Sequence, residues 1–370
     1  MPKRISEVGL KLDFQKYTLD FKFKAGTSRG ILSSRDIWII KLWDEASPQV
    51  YGLGESGPLK GLSIDDRPDL EDQIIDLKNK IGYHSIPQKE EKDGLVEILV
   101  REEFPSLRFA LETALLDLIN GGKRIIFDNP FSRSEAEIPI NGLVWMGDKD
   151  FMLSQIDAKI EAGYDCLKMK IGAINFEQEL GVLSYIRQHF KGSELILRVD
   201  ANGAFSPDEA LEKLKKLSDF DLHSIEQPIK PGQREEMGML CMDSPVPIAL
   251  DEELIGISES SKRRSLLSGI NPQYIILKPT LLGGMKSSLD WIEIADKAGV
   301  SWWFTSALES NIGLNAISQL TGQFNLNDHQ GLGTGQLYHN NFSSPLNIKL
   351  GRLRCDPSNS WNFNSLQLVR

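Results

Sequence analysis

The 370-residue chain contains little cysteine, little histidine and no long apolar run. Its three cysteines, Cys166, Cys241 and Cys355, are odd in number and far apart, which excludes a disulfide framework and a CxxC zinc site. The five histidines show no metal-ligand spacing. No stretch of about 18 apolar residues is present, so no membrane span is predicted. The first twenty residues lack the apolar core of a secretory signal. These absences predict a protein of the reducing cytoplasm.

The chain also lacks an excess of basic residues. Its 52 acidic and 42 basic residues give a formal net charge of −10, whereas proteins that bind nucleic acid or a membrane surface usually carry a basic patch. We therefore predict neither partner. The apolar content of 41% is sufficient for a large core, and the length suits two domains, one of which can be an α/β barrel. Oligomeric state is left open, with a homo-oligomer as one option.

The first 135 residues read as an α+β unit, because alternating β-forming runs precede amphipathic helical patterns. We predict strands over 10–23 and 35–44, loops over 24–34 and 51–63, and helices over 66–82 and 104–122. Ser106 is the predicted cap of the second helix.

From residue 136 to 335 the pattern changes to strand and helix in alternation. Strands are predicted over 166–172, 194–203, 222–228, 246–254, 274–280 and 300–310, each followed by a helix. Such alternation requires parallel strands with crossover helices, and so many units favour a closed barrel of the α/β class over an open sheet. The tail, residues 336–370, does not continue this alternation of strand and helix.

Charged residues end five successive strands of the predicted barrel, at Lys170, Asp200, Glu226, Asp251 and Lys278. The intervals of 25 to 30 residues match one strand-helix unit each. Barrel enzymes carry their active sites at the carboxyl ends of the strands, so these side chains are predicted to meet there. Taken singly, each could be a helix cap or a surface ion pair; five in register point to a site.

Three of the five are carboxylates, Asp200, Glu226 and Asp251, which would repel one another without a counter-ion. Oxygen ligands without histidine or cysteine suit a hard divalent cation, Mg²⁺ first and Mn²⁺ second. We therefore predict a metal site on these residues.

Two lysines, Lys168 and Lys170, lie two residues apart in the run CLKMKIG and so point to the same face of a strand, roughly 6.6 Å apart. Their mutual repulsion, about 2.5 kcal/mol at an effective dielectric near 20, predicts a lowered pKa and a lysine able to accept a proton. The alternative is a pair that extends to solvent at the strand end. Lys278 would face the same ligand from another side, a geometry that suits proton transfer next to a substrate carboxylate.

The motifs KMK, RVDANGAF, SIEQP, IALDEEL and ILKPTLLGG, in this order and spacing, resemble the enolase superfamily and its muconate-lactonizing subgroup. The resemblance implies a modified TIM barrel of the (β/α)7β type, with the N-terminal unit as a capping domain that the tail completes. The resemblance extends over the predicted barrel, and the N-terminal α+β unit is consistent with the capping domain of the family.

Within that subgroup, INGLVWMG, SALESNIGL and GLGTGQLY resemble the o-succinylbenzoate synthase family of menaquinone biosynthesis. The resemblance implies a Mg²⁺-dependent syn dehydration of a succinyl-cyclohexadiene carboxylate, SHCHC. It implies Lys170 as base and then acid, Lys168 as its modulator and Lys278 as a cation facing the developing ring. The acids would hold the metal, and Asn202 would orient them. Further candidate substrate contacts are Arg29, Gly283, Ser306, Glu309 and Ser310.

Two alternatives stay open from the sequence. An N-acylamino acid racemase or dipeptide epimerase of the same subgroup would use both lysines as opposed bases. The epimerases usually carry two acids after the last strand, where this chain reads GLGTG. In another class, glycines at 282–284 and 331–335 would suit a phosphate-binding or non-catalytic barrel, although that reading leaves the lysines and acids unexplained.

Overall fold

The computed structural model describes residues 9–27, 30–172, 174–325 and 327–369. Its strands are β1 (Leu10–Thr27), β2 (Gly30–Asp44), β3 (Tyr51–Ser56), β4 (Ile138–Pro139), β5 (Gly142–Val144), β6 (Cys166–Lys170), β7 (Ile196–Asp200), β8 (Ser224–Glu226), β9 (Ile248–Leu250), β10 (Tyr274–Leu277), β11 (Ser301–Phe304), β12 (Leu346–Lys349) and β13 (Arg352–Cys355). Its α helices are α1 (Leu70–Ile81), α2 (Lys92–Leu99), α3 (Pro105–Ile119), α4 (Lys149–Glu161), α5 (Phe176–His189), α6 (Pro207–Leu217), α7 (Arg234–Asp243), α8 (Ser260–Ile270), α9 (Pro279–Leu282), α10 (Met285–Ala298) and α11 (Asn311–Thr321).

The N-terminal strands form an antiparallel sheet in the order β1-β2-β3. Both predicted strands are present, but the loop predicted over 24–34 is wrong, because β1 extends to Thr27 and β2 begins at Gly30. Ala25 pairs directly with Leu32, so the hairpin continues through this segment. The pairing between the two strands therefore outweighs the loop preference of the Gly/Ser-rich sequence.

The loop predicted over 51–63 is also partly wrong, because its first half is β3. The glycines there serve close packing: a Cβ on Gly52 would lie 1.9 Å from the Ala114 carbonyl oxygen of α3, and one on Gly54 would lie 1.9 Å from that of Ala110. Glycine lets the strand and helix backbones touch. The predicted Ser106 cap is wrong as well, since Ser106 lies inside α3 and its hydroxyl hydrogen-bonds that of Ser56 at 2.7 Å.

The second sheet is parallel, in the order β11-β10-β9-β8-β7-β6-β5. Its open side is closed by the segment 330–331, because Gln330 bridges Ile140 beside β5 and Gly331 bridges Thr305 beside β11. Backbone bonds hold both junctions, with Asn141 N donating to Gln330 O and Gly331 N to Phe304 O. The parallel sheet is therefore strongly curled, as the predicted α/β class requires, and the segment 330–331 connects its two edge strands.

The tail packs against the N-terminal sheet and the entrance of the barrel. β12 and β13 form a small antiparallel sheet with β4. Phe342 packs against Tyr17 of β1 with ring centroids 5.0 Å apart, and Leu368 N donates to Gln15 Oε1 at 3.1 Å. The predicted domain boundaries at 135/136 and 335/336 stay predictions.

Across these four described stretches, no helix combines the length and the apolar character needed to cross a membrane.

Candidate active site

The five predicted charged residues come together at the carboxyl end of the barrel strands. Lys170, Asp200 and Glu226 end β6, β7 and β8 and are neighbours in register. Asp251 and Lys278 directly follow β9 and β10. Parallel strands of matched length therefore place all five at one end of the barrel.

Both lysines of the KMK run face the acids. Lys168 Nζ donates to Asp200 Oδ2 at 3.1 Å and to Glu226 Oε2 at 2.8 Å. Lys170 Nζ donates to the same Asp200 oxygen at 3.0 Å and to Asn202 Oδ1 at 2.7 Å. Each ammonium thus has a carboxylate partner, and neither extends to bulk solvent as the alternative reading required.

The lowered pKa predicted from lysine-lysine repulsion is wrong for Lys168. Burial does lower the pKa of this ammonium, but attraction to Glu226 and Asp200 outweighs burial and holds the pKa above its usual range. The pKa of Lys278 is raised in the same way, with burial opposed by Asp251, to which its Nζ is hydrogen-bonded, and by Glu252. The acids that surround the two lysines act against the repulsion between them, and for Lys168 they outweigh it.

The carboxylates respond differently to the same burial. Burial raises the pKa of Asp200, yet the ammonium groups of Lys170, Lys168 and Lys278 together lower it below its ordinary value. For Glu226, burial and the neighbouring acids raise the pKa to about 7, against the opposing pull of Lys168.

The donor set suits a hard cation. Glu226 Oε1 is buried and has no hydrogen-bond partner, which leaves it an oxygen to offer. Every acid here is held by a lysine, however, and no three Asp, Glu, His or Cys side chains in the ranges given above lie close enough to hold a metal as they stand. The chemistry of the ligands therefore fits Mg²⁺, while their present partners are ammonium groups.

Asn202 links the acids to their surroundings. Its backbone N donates to Asp200 Oδ1 at 3.1 Å and its Nδ2 donates to Glu252 Oε1 at 2.9 Å. It takes a positive φ of 44°, which asparagine tolerates better than most residues. Asn202 therefore orients both Asp200 and Lys170.

A cavity of about 890 Å³ opens above these groups. Its floor includes Lys168, Lys170, Asp200, Asn202 and Lys278. Its opposite wall comes from the N-terminal hairpin and the loop after β3, through Ile31, Leu32, Arg35, Trp38, Leu59 and Lys60 among others. The N-terminal sheet thus closes over the barrel end.

The other predicted contacts divide into four groups. Ser306 lines the cavity. Glu309 and Ser310 lie behind the wall: Glu309 Oε2 accepts from Ser306 at 2.6 Å, and Ser310 caps α11. Gly283 ends α9 outside the cavity lining, so the structure does not bring it to the site. Arg29 lies outside the described residues.

Sequence reasoning missed the residues that hold the loop after β11. Arg35 donates to the carbonyl oxygens of Ala307 and Leu308, and Glu55 accepts from Ser310 N at 2.9 Å. Both side chains are buried. No local signal marks them, because their partners lie more than 250 residues away in the chain.

Comparison with known proteins assigns this arrangement to a family. Residues 152–358 match the model described as enolase C-terminal domain-like. The chain belongs to the enolase superfamily. Within it, the chain is 45% identical over 369 residues to o-succinylbenzoate synthase of Desulfotalea psychrophila, covering 93% of this chain and 99% of that protein, which places it among the o-succinylbenzoate synthases.

Solved structures agree with this superfamily placement. The crystal structure of MenC from Desulfotalea psychrophila has a TM-score of 0.85 at 42% identity, covering 94% of this chain and 99% of that one. Among the relatives found by sequence, an N-succinylamino acid racemase of Thermus thermophilus is more distant, with 28% identity that covers 80% of this chain and 77% of its own length. L-Ala-D/L-Glu epimerase from Bacillus subtilis shares the fold, with a TM-score of 0.82, 17% identity, and 96% and 98% of the two chains covered.

Proposed function

We propose that this protein is an o-succinylbenzoate synthase, which removes water from SHCHC to give o-succinylbenzoate in menaquinone biosynthesis. The observation that carries the proposal is that Lys170 and Lys278 line one cavity together with Asp200, in a chain 45% identical to a named synthase. The reaction is carbon–oxygen bond cleavage by a lyase.

In this proposal Lys170 reacts as the neutral amine, and its Nζ takes the proton from the ring carbon that bears the carboxylate. The C–H electron pair moves into the ring, the C–O bond on the adjacent carbon breaks, and the same lysine returns its proton to the departing hydroxyl as water. Syn elimination suits a single group, because both bonds lie on one face. The hydrogen bonds from Lys170 to Asp200 and Asn202 orient its Nζ toward the substrate.

Lys278 and Lys168 act through charge. Lys278 lines the cavity from β10, four strands from β6, so its ammonium faces the substrate from the other side and stabilises the anion that forms in the ring. Lys168 is almost fully buried between two acids and keeps Asp200 and Glu226 in place.

Asp200, Glu226 and Asp251 would hold Mg²⁺, with Mn²⁺ as the second choice. When bound, the ion supplies positive charge beside the substrate carboxylate, which makes the neighbouring C–H more acidic. The unpaired Glu226 Oε1 supports this assignment.

The N-terminal sheet, with the tail packed on it, would act as the cap that excludes water from the cavity. The three cysteines are all free thiols, which fits a reducing cytoplasm. The proposed partner is a small carboxylate. The formal net charge of −10 argues against nucleic acid or a membrane surface as a partner.

The test is turnover of SHCHC by the purified protein, followed by the absorbance of the aromatic product. We expect turnover that EDTA abolishes and that Mg²⁺ restores. Absence of turnover with Mg²⁺ present would overturn the proposed function.

A second candidate activity is racemisation of N-succinyl amino acids. The specific observation in its favour is that Lys170 and Lys278 line the same cavity from different strands, as two opposed bases would. A dipeptide substrate is disfavoured because 331–335 carries no acid for its ammonium group. Solvent deuterium incorporation at the α-carbon of N-succinyl-L- and D-amino acids distinguishes this activity, and no incorporation from either enantiomer would exclude it.

A further inference from the structure

The wall of the barrel end has a charged part and an uncharged part. Strands β6 to β10 bring the lysines and acids to the cavity. The remaining arc runs from β11 through 330–331 to β5, and its strands and loops bring only uncharged residues to the cavity: Asn141, Leu143, Trp145, Thr305, Ser306, Ala307, Leu308, Gly331, Gly333 and Thr334. Two charged side chains line the cavity beside this arc, Lys159 of α4 and Arg35 of β2. In a ring of eight strand positions, 330–331 lies opposite β8, which carries Glu226. With its carboxylate beside the Mg²⁺ that these acids would hold, the substrate therefore extends toward this arc.

Two polar side chains of the uncharged arc have no partner in the protein. Thr305 Oγ1 and Asn141 Oδ1 are both buried without a hydrogen bond. The residues are 7% and 4% exposed, and both line the cavity. Because buried polar groups are nearly always hydrogen-bonded, two unpaired groups on one wall of a cavity indicate a ligand that pairs with them.

The two groups flank the same short segment. Asn141 N donates to Gln330 O at 3.0 Å, while Thr305 bridges Gly331 on the other side. Gly331 has room for no side chain, since its Cβ would lie 2.5 Å from Thr305 Oγ1. One rotation about the Thr305 Cα–Cβ bond exchanges its hydroxyl with another staggered position, so the group can turn to a ligand without backbone movement.

We propose that Asn141 and Thr305 form a hydrogen-bonding subsite for an uncharged carbonyl oxygen in the substrate's side chain. This rests on the proposed function, and it assigns the succinyl ketone of SHCHC to the uncharged arc. The Thr305 hydroxyl can donate to a carbonyl oxygen as it stands. Asn141 Oδ1 can only accept, so the amide turns over to present its Nδ2 to the ligand, and no hydrogen bond to Oδ1 opposes this turn. A carboxylate is better matched by the lysines. The amide carbonyl of an N-succinyl amino acid has the same character, so the subsite would accept both substrate types.

The experiment compares Thr305→Val with Thr113→Val. Thr113 is a matched control because its hydroxyl is also buried and unpaired, but it lies in α3 away from the cavity lining. Each change removes an unpaired hydroxyl at nearly constant shape, so the melting temperature of the free enzyme should not fall in either variant. Asn141→Ala is the second subsite variant.

Binding is measured with o-succinylbenzoate and with benzoate, which lacks the side chain, in the presence of Mg²⁺. We expect Thr305→Val and Asn141→Ala each to weaken o-succinylbenzoate binding about tenfold, to leave benzoate binding unchanged, and to raise KM for SHCHC more than they lower kcat. Thr113→Val should change none of these.

Equal o-succinylbenzoate affinity in Thr305→Val, Asn141→Ala and the wild type would overturn the subsite, and so would an equal loss for benzoate. Failure of the proposed function looks different: the wild type itself would not turn over SHCHC, whatever the variants bind.

Discussion

Lys168 donates a hydrogen bond from its Nζ to Glu226 Oε2 at 2.8 Å, inside the barrel and beneath the cavity. The same ammonium is 3.1 Å from Asp200 Oδ2. Both acids are almost fully buried, so they depend on this cation for charge balance. Removing one partner of a buried ion pair leaves an uncompensated charge, which is far more costly than losing an exposed pair.

Lys168→Met should therefore lower the free energy of unfolding by about 3 kcal/mol in EDTA. Mg²⁺ should recover part of this loss, because a bound cation replaces the missing positive charge, and the stabilisation by Mg²⁺ should exceed that of the wild type. Denaturant unfolding with and without Mg²⁺ measures both quantities.

Lys78→Met is the control for losing a lysine as such. Lys78 Nζ lies 2.9 Å from Asp13 Oδ1 on the surface, with both side chains nearly half exposed. An exposed pair contributes less than about 1 kcal/mol. Equal effects of the two substitutions, or a Mg²⁺ stabilisation no larger in Lys168→Met than in the wild type, would contradict the role given to Lys168.

Lys170→Ala should abolish turnover of SHCHC, by about 10³-fold or more, while the fold is kept. Lys170→Arg separates charge from proton transfer, because arginine keeps the positive charge but does not release its proton near neutral pH. We expect both variants to be inactive, with circular dichroism spectra like the wild type. Near-normal rates in either variant would remove Lys170 from the role of base.

The barrel and its charged residues were predictable because they follow a repeated local rule. Each buried parallel strand is a short apolar run, and the polar residue that ends it recurs at nearly constant intervals, as at Lys170, Asp200 and Glu226. Closure of the barrel makes these positions neighbours without further information.

The parts that were not predicted depend on distant partners. β3 reads as a loop because the glycines that weaken a strand in isolation are needed for contact with α3, about 60 residues later. The pKa of Lys168 was predicted in the wrong direction because acids from other strands dominate it. Asn141 and Thr305 carry no motif, and only the cavity reveals them.

Gly54→Ala tests the close contact between β3 and α3. The added Cβ would lie 1.9 Å from Ala110 O and 3.0 Å from Ala110 Cα, so the strand and helix must separate. We expect a loss of about 3 kcal/mol or more in the free energy of unfolding. Gly94→Ala, in α2, has nothing within 4 Å of the added Cβ and should stabilise by about 1 kcal/mol. A Gly54→Ala protein as stable as the wild type would refute the packing argument.

Asp65 gives the molecule a stability that depends on pH. Its Oδ2 accepts from Ser106 N at 2.8 Å at the start of α3, while Oδ1 is buried without a partner. Burial raises the pKa of Asp65 from 3.8 to about 6. The folded protein therefore binds this proton more tightly than the unfolded chain, and the contribution of Asp65 to stability falls as the pH rises from about 4 to about 6.

Asp65→Asn removes the titration and keeps an oxygen for Ser106 N. A shift of about 2 pKa units corresponds to about 3 kcal/mol, so the variant should gain up to that amount of unfolding free energy relative to the wild type between pH 4 and pH 7. Only the change in this difference with pH is attributable to Asp65, because other buried acids such as Glu112 titrate alike in both proteins. Urea unfolding at several pH values provides the measurement. If the difference stays constant from pH 4 to pH 7, the buried Asp65 is not the group that titrates in this range.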